Sequence, residues 1–390
     1  MIASNPSQSR KLAGFRRYCA ARGWDVAVVE RGDSTPEALP GILRRHSPVG
    51  CIVDGIGRHV DLPPNLFRGI HIVYIGYPSG IAAHLPNFHF DTAAIVKAAF
   101  RELSVGAPSC YAAIGFPHPQ PWSRARVRAF RGEVAVNDAK CHIFPANPHV
   151  ACEPWDAFVE RLAPWLAKLP EHCALFAVSD EIAVAVTRAA RAAMRSIPRS
   201  LTLVSVDNFT ELCESAEPPI SSIQLDFERM GFMAARALGN EISAAKDAKN
   251  RKGFANSAFF AAENNIIGPL LTVRRKSTSG HGRHEKFIME AVETIRREAC
   301  DGLSASDLAS RFPVTRRLFD MRFREATGHS VLDEILHVRL EKAFTLLAQT
   351  NTPIGAIPRL CGFKCDRTLD ALFRSRFHMS MRDWRKRNAR

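Results

Sequence analysis

Short apolar runs alternate with helical patterns through the first 272 residues, and this alternation constrains the fold more than any other feature of the chain. The apolar runs lie at 25–30, 49–56, 70–78, 110–116, 173–180 and 201–208. Helical patterns lie around them, at 10–22, 91–103, 123–136, 155–169, 182–195 and 227–238. Short apolar strands separated by helices are typical of parallel sheets covered on both faces. We therefore predict a doubly wound α/β domain, in which ligands bind beyond the carboxyl ends of the strands.

This alternation ends at a polar segment, TVRRKSTSGHGR, which contains Ser and Gly and has no apolar period. After it, only helical patterns remain. The sequence thus predicts an α/β domain over residues 1–272, a linker over 273–283 and an all-α domain over 284–390.

Positive charge is concentrated in the predicted all-α domain. Residues 274–390 contain 24 Lys and Arg against 14 Asp and Glu, and the whole chain has a formal net charge of +14. A basic domain attached to a nearly neutral one suggests a surface for phosphates, and therefore double-stranded DNA as a partner. A generic basic surface or a membrane-facing patch remains the alternative.

Several classes of protein are disfavoured. No apolar stretch is long enough to span a bilayer, and the N-terminus has no apolar core of a signal peptide, so we expect a cytoplasmic protein without a membrane partner. The ten cysteines form no CxxC pair, so we expect reduced thiols and no metal site. Phosphate-binding and nucleophile-elbow motifs are absent, so we expect neither an enzyme nor a cofactor.

The C-terminal domain contains two helix-turn-helix patterns. In the first, at about 304–328, Ser304 with Asp307 has the spacing of a capping box, and Thr315 is a good N-cap for a second helix that Gly328 ends. The second pattern, at about 352–378, has Gly362 at its turn. A short helix, a tight turn and a helix with a basic face is the arrangement that presents a recognition helix to the major groove.

These patterns resemble the DNA-binding domain of the AraC/XylS family. The most specific feature is an R-L-x-x-A-x-x-L-L run formed by Arg339, Leu340, Ala343, Leu346 and Leu347. A step from Ile354 or Ile357 to Gly362-Phe363, and Phe373, Arg374 and Phe377 further on, add to the resemblance. The chain departs from the family at Pro313, where a turn glycine is usual, and at Pro358, where an alanine is typical. We expect Pro358 to remove a backbone hydrogen bond and to kink its helix.

The resemblance implies that each second helix of the two units contacts DNA. We expect Arg317 and Arg367 to bind guanine, because Arg can pair with both guanine acceptors. Arg316 and Arg324 are expected to hold phosphates, which fixes position without reading sequence. The full set of expected DNA contacts is Thr315, Arg316, Arg317, Asp320, Met321, Arg324, Asp366, Arg367, Thr368, Asp370 and Ala371.

The α/β domain resembles the effector domain of LacI/GalR regulators, which are cytoplasmic relatives of periplasmic sugar-binding proteins. The similarity lies in WSRARVRAF at 122–130, VSD at 178–180 and SVDNFTELCESAEPPISSIQLDFERMGFMAARAL at 205–238. It implies a two-lobed, periplasmic-binding-protein-like sensor and a monosaccharide effector, with D-xylose favoured. A sensor joined to this DNA-binding domain implies a transcription regulator, an activator that forms a homodimer and that can contact RNA polymerase.

Five residues of the α/β domain are candidate sugar ligands: Trp122, Arg126, Asp180, Asp207 and Asn208. Carboxylates accept hydroxyl hydrogen bonds, Arg donates to sugar oxygens and an aromatic ring covers an apolar C–H face. Each has another interpretation. Asp180 can be a helix N-cap, Asp207 and Asn208 can cap the following segment, Trp122 can pack the lobes and Arg126 can form a surface ion pair.

The resembling fold opens with a central strand that would precede the helix beginning near Ser9. We expect either that the true start of the protein lies upstream of Met1 or that this lobe is damaged, because neighbouring strands would lack backbone partners. A DNA-binding regulator with a degenerate, ligand-independent sensor is therefore the alternative function.

Overall fold

The computed structural model describes residues 6–29, 35–55, 62–76, 85–118, 120–145, 153–250, 266–278, 286–327, 329–350, 352–363, 365–377 and 379–388. The chain divides into two compact units, Met1–His281 and Gly282–Arg390. The first unit is α/β and the second is helical.

The first lobe of the α/β unit is built on a four-stranded parallel sheet. Its elements are α1 (Pro6–Ala21), α2 (Leu39–His46), β1 (Gly50–Asp54), β2 (His71–Ile75), β3 (Asn87–Phe90) and α3 (Thr92–Leu103), with β9 (Ile266–Ile267) added from late in the chain. The strand order is β1-β2-β3-β9. Asp91 caps α3 by accepting a hydrogen bond from the Ala94 N–H.

The prediction of a buried strand at 25–30 is wrong over residues 25–29, and residue 30 lies outside the described part of the chain. Residues 25–29 form no strand, and Val28 and Val29 are 48% and 38% exposed. A strand requires a hydrogen-bonded neighbour, and none of the described strands pairs with this run. Apolar composition over five residues does not supply that neighbour.

The second lobe contains the larger sheet and most of the core. Its elements are β4 (Cys110–Ile114), α4 (Pro121–Val136), β5 (Cys141–Ile143), α5 (Trp155–Ala167), β6 (Cys173–Ala177), α6 (Asp180–Ala192), β7 (Leu201–Asp207), α7 (Thr210–Ser215), β8 (Ser221–Gln224) and β10 (Leu271–Val273). The strand order is β10-β8-β7-β6-β4-β5, with only β10 antiparallel. All five residues of β4 and of β6 are buried, as expected for central strands covered on both faces.

A long helix, α8 (Phe227–Asn250), packs closely against α1. Gly231 lies so near the Lys11 carbonyl that an added Cβ would come within 1.8 Å of that oxygen, and Gly14 lies equally near the Glu228 carbonyl. Only glycine permits two helix backbones to approach this closely. The contact holds the first helix of the chain against the segment that follows the second lobe.

The first part of the predicted linker packs on the second-lobe sheet. Ser277 is fully buried; its N–H donates to the Pro219 carbonyl, and its hydroxyl donates to the Leu203 carbonyl and accepts from the Ser221 N–H. Thr278 is also buried, and its Oγ1 lies 3.0 Å from Ser221 Oγ. The polarity of this segment reflects hydroxyl groups that hydrogen-bond to the sheet. Residues 279–283 of the predicted linker lie outside the described residues.

The second unit contains α9 (Lys286–Glu298), α10 (Ala305–Ser310), α11 (Arg316–Thr327), α12 (Val331–Gln349), α13 (Ile357–Leu360), α14 (Asp366–Phe377) and α15 (Met381–Asn388). The capping box of Ser304 and Asp307 is present. The expected end of α11 at Gly328 lies outside the described residues. At the expected kink, the scaffold helix is divided into a 3-10 turn, Ile354–Ala356, and α13, with Pro358 in the first turn of α13.

The predicted fold class is confirmed: an α/β unit with parallel sheets precedes a helical unit with two helix-turn-helix patterns. The second pattern has its own core, in which Leu369 and Phe373 of α14 are fully buried. Phe319 and Phe323 of α11 are likewise fully buried.

Candidate functional site

The carboxyl ends of three neighbouring strands bring the candidate sugar ligands together. In the order β7-β6-β4, Asp207 ends β7, Asp180 opens the helix after β6, and Arg126 lies in the helix after β4. The backbone at Asp207 and Asn208 has positive φ angles of 109° and 51°. Asn tolerates this region better than most residues, and for Asp207 the value is an outlier that redirects the chain at the strand end.

Arg126 and Asp207 form the charged centre of this strand-end site. The Arg126 side chain is 8% exposed and that of Asp207 is 13% exposed, with 3.6 Å between Nη1 and Oδ1. Nη1 also donates to the Val178 carbonyl over 2.6 Å. The guanidinium carbon lies 4.9 Å from the Trp122 ring centroid, which is cation–π distance. The structure thus places Trp122, Arg126 and Asp207 in one contiguous group.

Burial raises the pKa of the acid in this pair and lowers the pKa of the base, because both charged forms lose water. Burial raises the pKa of Asp207 well above its usual range, although the Arg126 charge opposes the shift. Burial also lowers the pKa of Arg126, again opposed by Asp207. A partly dehydrated carboxylate beside a guanidinium gains from any ligand that restores hydrogen bonds, and vicinal hydroxyls supply both donors and acceptors.

Asp180 has a different environment. It is 0% exposed, and its carboxylate accepts hydrogen bonds from the hydroxyls of Ser205 and Ser222 and from the Phe209 N–H. Ser179, rather than Asp180, caps α6. The carboxylate of Asp180 therefore fixes the loop that carries Asn208 and Phe209, because both of its oxygens already bind protein donors.

Asn208 links the strand end to the segment after β10. Its N–H donates to Ser222 Oγ over 3.0 Å, and its Oδ1 accepts from Arg275 Nη1 over 3.0 Å. Its Nδ2 lies 3.4 Å from Gln224 Oε1. Asn208 is 2% exposed, so the amide is an internal connector as well as a neighbour of Asp207.

Two further polar atoms at this site, one on Gln120 and one on Trp122 itself, were not predicted from the sequence to bind a ligand. Gln120 Oε1 and Trp122 Nε1 are buried and have no hydrogen-bond partner within the described residues. Gln120 is 5% exposed and is the N-cap residue of α4, whose first turn contains Trp122. An acceptor and a donor in this condition are available to a polar ligand. Glutamine has no motif that distinguishes this use from a surface position.

The first lobe also reaches this site. The Arg10 guanidinium carbon of α1 lies 5.4 Å from the ring centroid of Phe209. Lys11, 4% exposed, forms an ion pair with Asp54 at the end of β1. Neither of these two contacts was predicted, because the partners in each are far apart in sequence.

In the second unit, α11 carries a basic surface over an apolar one. Thr315, Arg316, Arg317, Met321 and Arg324 are exposed and Asp320 is half-buried. Thr315 Oγ1 accepts from the Leu318 N–H at 3.4 Å, so it caps the helix. The exposed face has the side chains that a recognition helix requires.

The helix α14 has the corresponding place in the second pattern. Asp366, Arg367, Thr368 and Ala371 are exposed and Asp370 is half-buried. Asp370 Oδ2 accepts from Arg374 Nε over 2.9 Å.

Acidic residues on both α11 and α14 thus have basic neighbours. Arg316 Nε lies 3.6 Å from Asp320 Oδ2 in α11, in the i,i+4 relation that Asp370 and Arg374 have in α14. Each of these carboxylates is therefore partly neutralised by a guanidinium of its own helix.

No helix in the described part of the chain is long and apolar enough to cross a membrane. The described residues also contain no cluster of three or more His, Cys, Asp or Glu side chains able to hold a metal ion.

Comparison with known proteins finds relatives for both the α/β unit and the helical unit. Residues 109–254 match the periplasmic binding protein-like domain family, and residues 308–387 match a helix-turn-helix domain family. The xylose operon regulatory protein of Escherichia coli K12 is 24% identical over 325 residues, covering 82% of this chain and 79% of that protein. The HTH-type transcriptional regulator CelR of Thermobifida fusca is 35% identical over 245 residues, covering 62% of this chain and 71% of that protein. A solved structure of the xylose-binding transcription activator xylR has a TM-score of 0.51 at 23% identity, covering 100% of this chain and 97% of that one.

Proposed function

Because the chain belongs to the helix-turn-helix transcription regulators that carry a periplasmic-binding-protein-like sensor ahead of an AraC-type DNA-binding domain, we propose that a monosaccharide in its sensor controls its binding to operator DNA. D-xylose is the favoured effector, by analogy with the Escherichia coli relative. The relatives are transcription regulators and not enzymes, so the sugar is a signal and not a substrate.

The observation that carries the proposal is the Arg126–Asp207 pair lying against Trp122 at the carboxyl ends of the second-lobe strands. In this proposal Asp207 accepts from sugar hydroxyls, Arg126 donates to a sugar oxygen, and Trp122 contacts the apolar face of the ring. Asn208 lies beside them, and Asp180 holds the loop in position. The buried atoms Gln120 Oε1 and Trp122 Nε1 offer one more acceptor and donor.

Thermal unfolding of the full-length chain tests the proposal, with D-xylose, other pentoses and hexoses as probes. A ligand at about 100 times its dissociation constant stabilises the folded state by about 2.7 kcal/mol, which raises the melting temperature measurably. We expect D-xylose to raise the melting temperature of the parent chain but not of Asp207→Asn. Asp156→Asn is the matched control, because Asp156 is an exposed carboxylate of the same unit.

A ligand-independent regulator is the second candidate. The exposed run at 25–29 favours it, because the pattern predicts a strand there and these described residues form none. If no sugar in the panel changes the melting temperature while the chain still binds DNA specifically, this second function replaces the first.

Operator binding is proposed to use α11 and α14, each placed in a major-groove segment on one face of the duplex about one helical turn apart. We further propose a cytoplasmic homodimer that activates transcription through contact with RNA polymerase. Sedimentation velocity with and without D-xylose and DNA tests the dimer, and a purely monomeric chain at micromolar concentration contradicts it.

A further inference from the structure

Three segments of the second unit meet at one point between the two helix-turn-helix patterns. They are residues 299–303, which connect α9 to α10; Arg339, in the middle of α12; and residues 361–363, the turn between α13 and α14. We refer to this contact as the helix-turn-helix junction. It lies close to the start of the first pattern, where α10 begins at Ala305, and to the turn of the second pattern, after which α14 begins at Asp366.

Arg339 binds two main-chain carbonyls of the first segment. Its Nε donates to the Ala299 carbonyl over 2.8 Å and its Nη2 donates to the Leu303 carbonyl over 2.7 Å. The guanidinium carbon also lies 5.7 Å from the centroid of the Phe363 ring in the third segment. The planar guanidinium fixes the angle between its donors, and this one side chain contacts both the segment before the first pattern and the turn of the second.

The third segment contacts the first through its backbone. Gly362 has φ +77°, and a Cβ added there would come within 2.7 Å of the Cys300 carbonyl and 2.8 Å of the Ala299 carbonyl. The turn of the second pattern therefore packs directly on the segment that enters the first, without an intervening side chain. Cys361 beside it is fully buried. A contact of this kind allows little sliding, since backbone atoms cannot change rotamer.

Building on the proposed operator binding by α11 and α14, we infer that the helix-turn-helix junction, through Arg339 and Gly362, sets the spacing between the two half-elements that this chain recognises in DNA. Each added base pair moves the second half-element by about 3.4 Å and turns it by roughly a tenth of a helical turn. Two recognition helices held by a rigid junction cannot follow that movement. Arg339 touches neither base nor phosphate in this inference, and it acts as a positioning residue.

The alternative is that α12 alone acts as the spacer and that Arg339 only adds stability. The two cases differ in what loss of Arg339 changes. A stability role lowers the melting temperature, or affinity for all sites alike, whereas a positioning role changes the dependence of affinity on spacing.

The test uses the full-length chain and duplexes selected by it from a random library. In the selected site, the distance between the two half-elements is then changed by one or two base pairs in each direction, and dissociation constants are measured at one salt concentration. We expect the parent chain to lose about tenfold or more in affinity for each base pair of displacement, as with loss of one specific contact. Arg339→Gln should lose less than about threefold.

Arg339→Lys separates hydrogen-bond geometry from charge. A single ammonium cannot reproduce the two fixed donors, so we expect this variant to have the same flattened spacing profile as Arg339→Gln. Lys342→Gln is the matched control, because it removes an exposed charge from the same helix and should keep the parental profile.

Two results overturn the inference. One is a parent chain whose affinity does not depend on spacing, and the other is an Arg339→Gln variant that binds more weakly at every spacing with an unchanged profile. If Arg339→Gln does not fold, as judged by circular dichroism, Phe363→Leu decides instead. Phe363→Leu removes the ring beneath the Arg339 guanidinium. If its affinity depends on spacing as that of the parent chain does, the inference is likewise overturned.

Discussion

Arg275 Nη1 donates a hydrogen bond to Asn208 Oδ1 over 3.0 Å, and this bond joins the proposed sugar site to the segment that leads out of the sensor unit. Asn208 directly follows Asp207 at the end of β7. Arg275 lies just after β10, and the same Nη1 donates to the Ile220 carbonyl. Movement of the strand end on ligand binding would therefore displace Arg275 directly.

Loss of this bond should separate sugar binding from DNA binding. We expect Arg275→Gln to bind D-xylose with near-parental affinity, but to lose most of the change in operator affinity that the sugar causes. Coupling between two sites typically changes affinity by about 5- to 150-fold. In Arg275→Gln, the ratio of operator affinity with sugar to that without sugar should fall towards one. Anisotropy titrations of operator DNA with and without D-xylose measure it. Arg274→Gln is the control, since Arg274 pairs with Glu102 instead. An undiminished sugar response in Arg275→Gln would refute this route.

The two buried aspartates should differ in what their substitution affects. Asp207→Ala and Arg126→Ala should each weaken sugar binding by about 2–4 kcal/mol, because a ligand hydroxyl or a buried charge loses its partner. Asp180→Asn should instead lower the free energy of unfolding by about 1–3 kcal/mol, because two hydroxyls and the Phe209 N–H lose a charged acceptor. Urea unfolding and calorimetric titration with D-xylose measure the two effects. Parental stability in Asp180→Asn, with sugar binding abolished, would make Asp180 a ligand-contacting residue.

On α11, we expect Arg317 to recognise a base and Arg324 to bind a phosphate. Arg317→Ala should cost about 1–3 kcal/mol and relax the preference at one base pair, because a bidentate guanine contact is lost. Arg324→Ala should weaken binding to all sequences and flatten the salt dependence, because a phosphate contact is lost. Titrations against the selected operator and its single-base variants at two salt concentrations measure both. Uniform weakening in Arg317→Ala, together with altered base preference in Arg324→Ala, would reverse the assignment.

A His–Glu pair should make the stability of the second unit depend on pH. His329 Nε2 lies 2.6 Å from Glu334 Oε2, and this hydrogen bond raises the pKa of His329. Burial opposes ionisation of Glu334, yet the bond to His329 lowers its pKa. Asp333 adds to the rise at His329, and the charges of Arg296 and of His337, when protonated, add to the lowering at Glu334.

The direction follows from linkage. The contribution of His329 is complete below about pH 6.5, its unfolded pKa, and is lost as the pH rises through its higher folded pKa. The contribution of Glu334 is complete above about pH 4.3 and is lost as the pH falls. A double-mutant cycle with His329→Gln and Glu334→Gln should therefore give its largest coupling energy near pH 5.5 and a smaller one at pH 8.5. The coupling should be modest, because His329 is 38% exposed. A coupling energy that is equal at both pH values would contradict this prediction.

Features that depend on neighbouring residues were predictable from the sequence. The long apolar runs of β4, β6 and β7 have the composition of covered strands, and their placement between helices determines a parallel sheet. The N-caps of α10 and α11 were equally readable, since a capping side chain bonds to the backbone two or three residues away. The basic surface of the second unit follows from composition alone. These features gave the fold class and the expectation of DNA binding.

The tertiary structure decided what depends on partners that are distant in the chain. The run at 25–29 has a strand's composition but no paired neighbour, and the short strands β3, β5 and β9 exist only because other segments pair with them. Asp180 and Asp207 are indistinguishable as carboxylates following strands. Their environments differ because Ser205 and Ser222 meet one carboxylate and Arg126 meets the other. Arg339 and Arg275 bind main-chain and amide oxygens 36 to 67 residues away, which no local pattern encodes. A hydrogen bond forms only where folding brings a donor and an acceptor within about 3 Å of each other. For residues more than a few positions apart, the spacing in the sequence does not determine whether this happens.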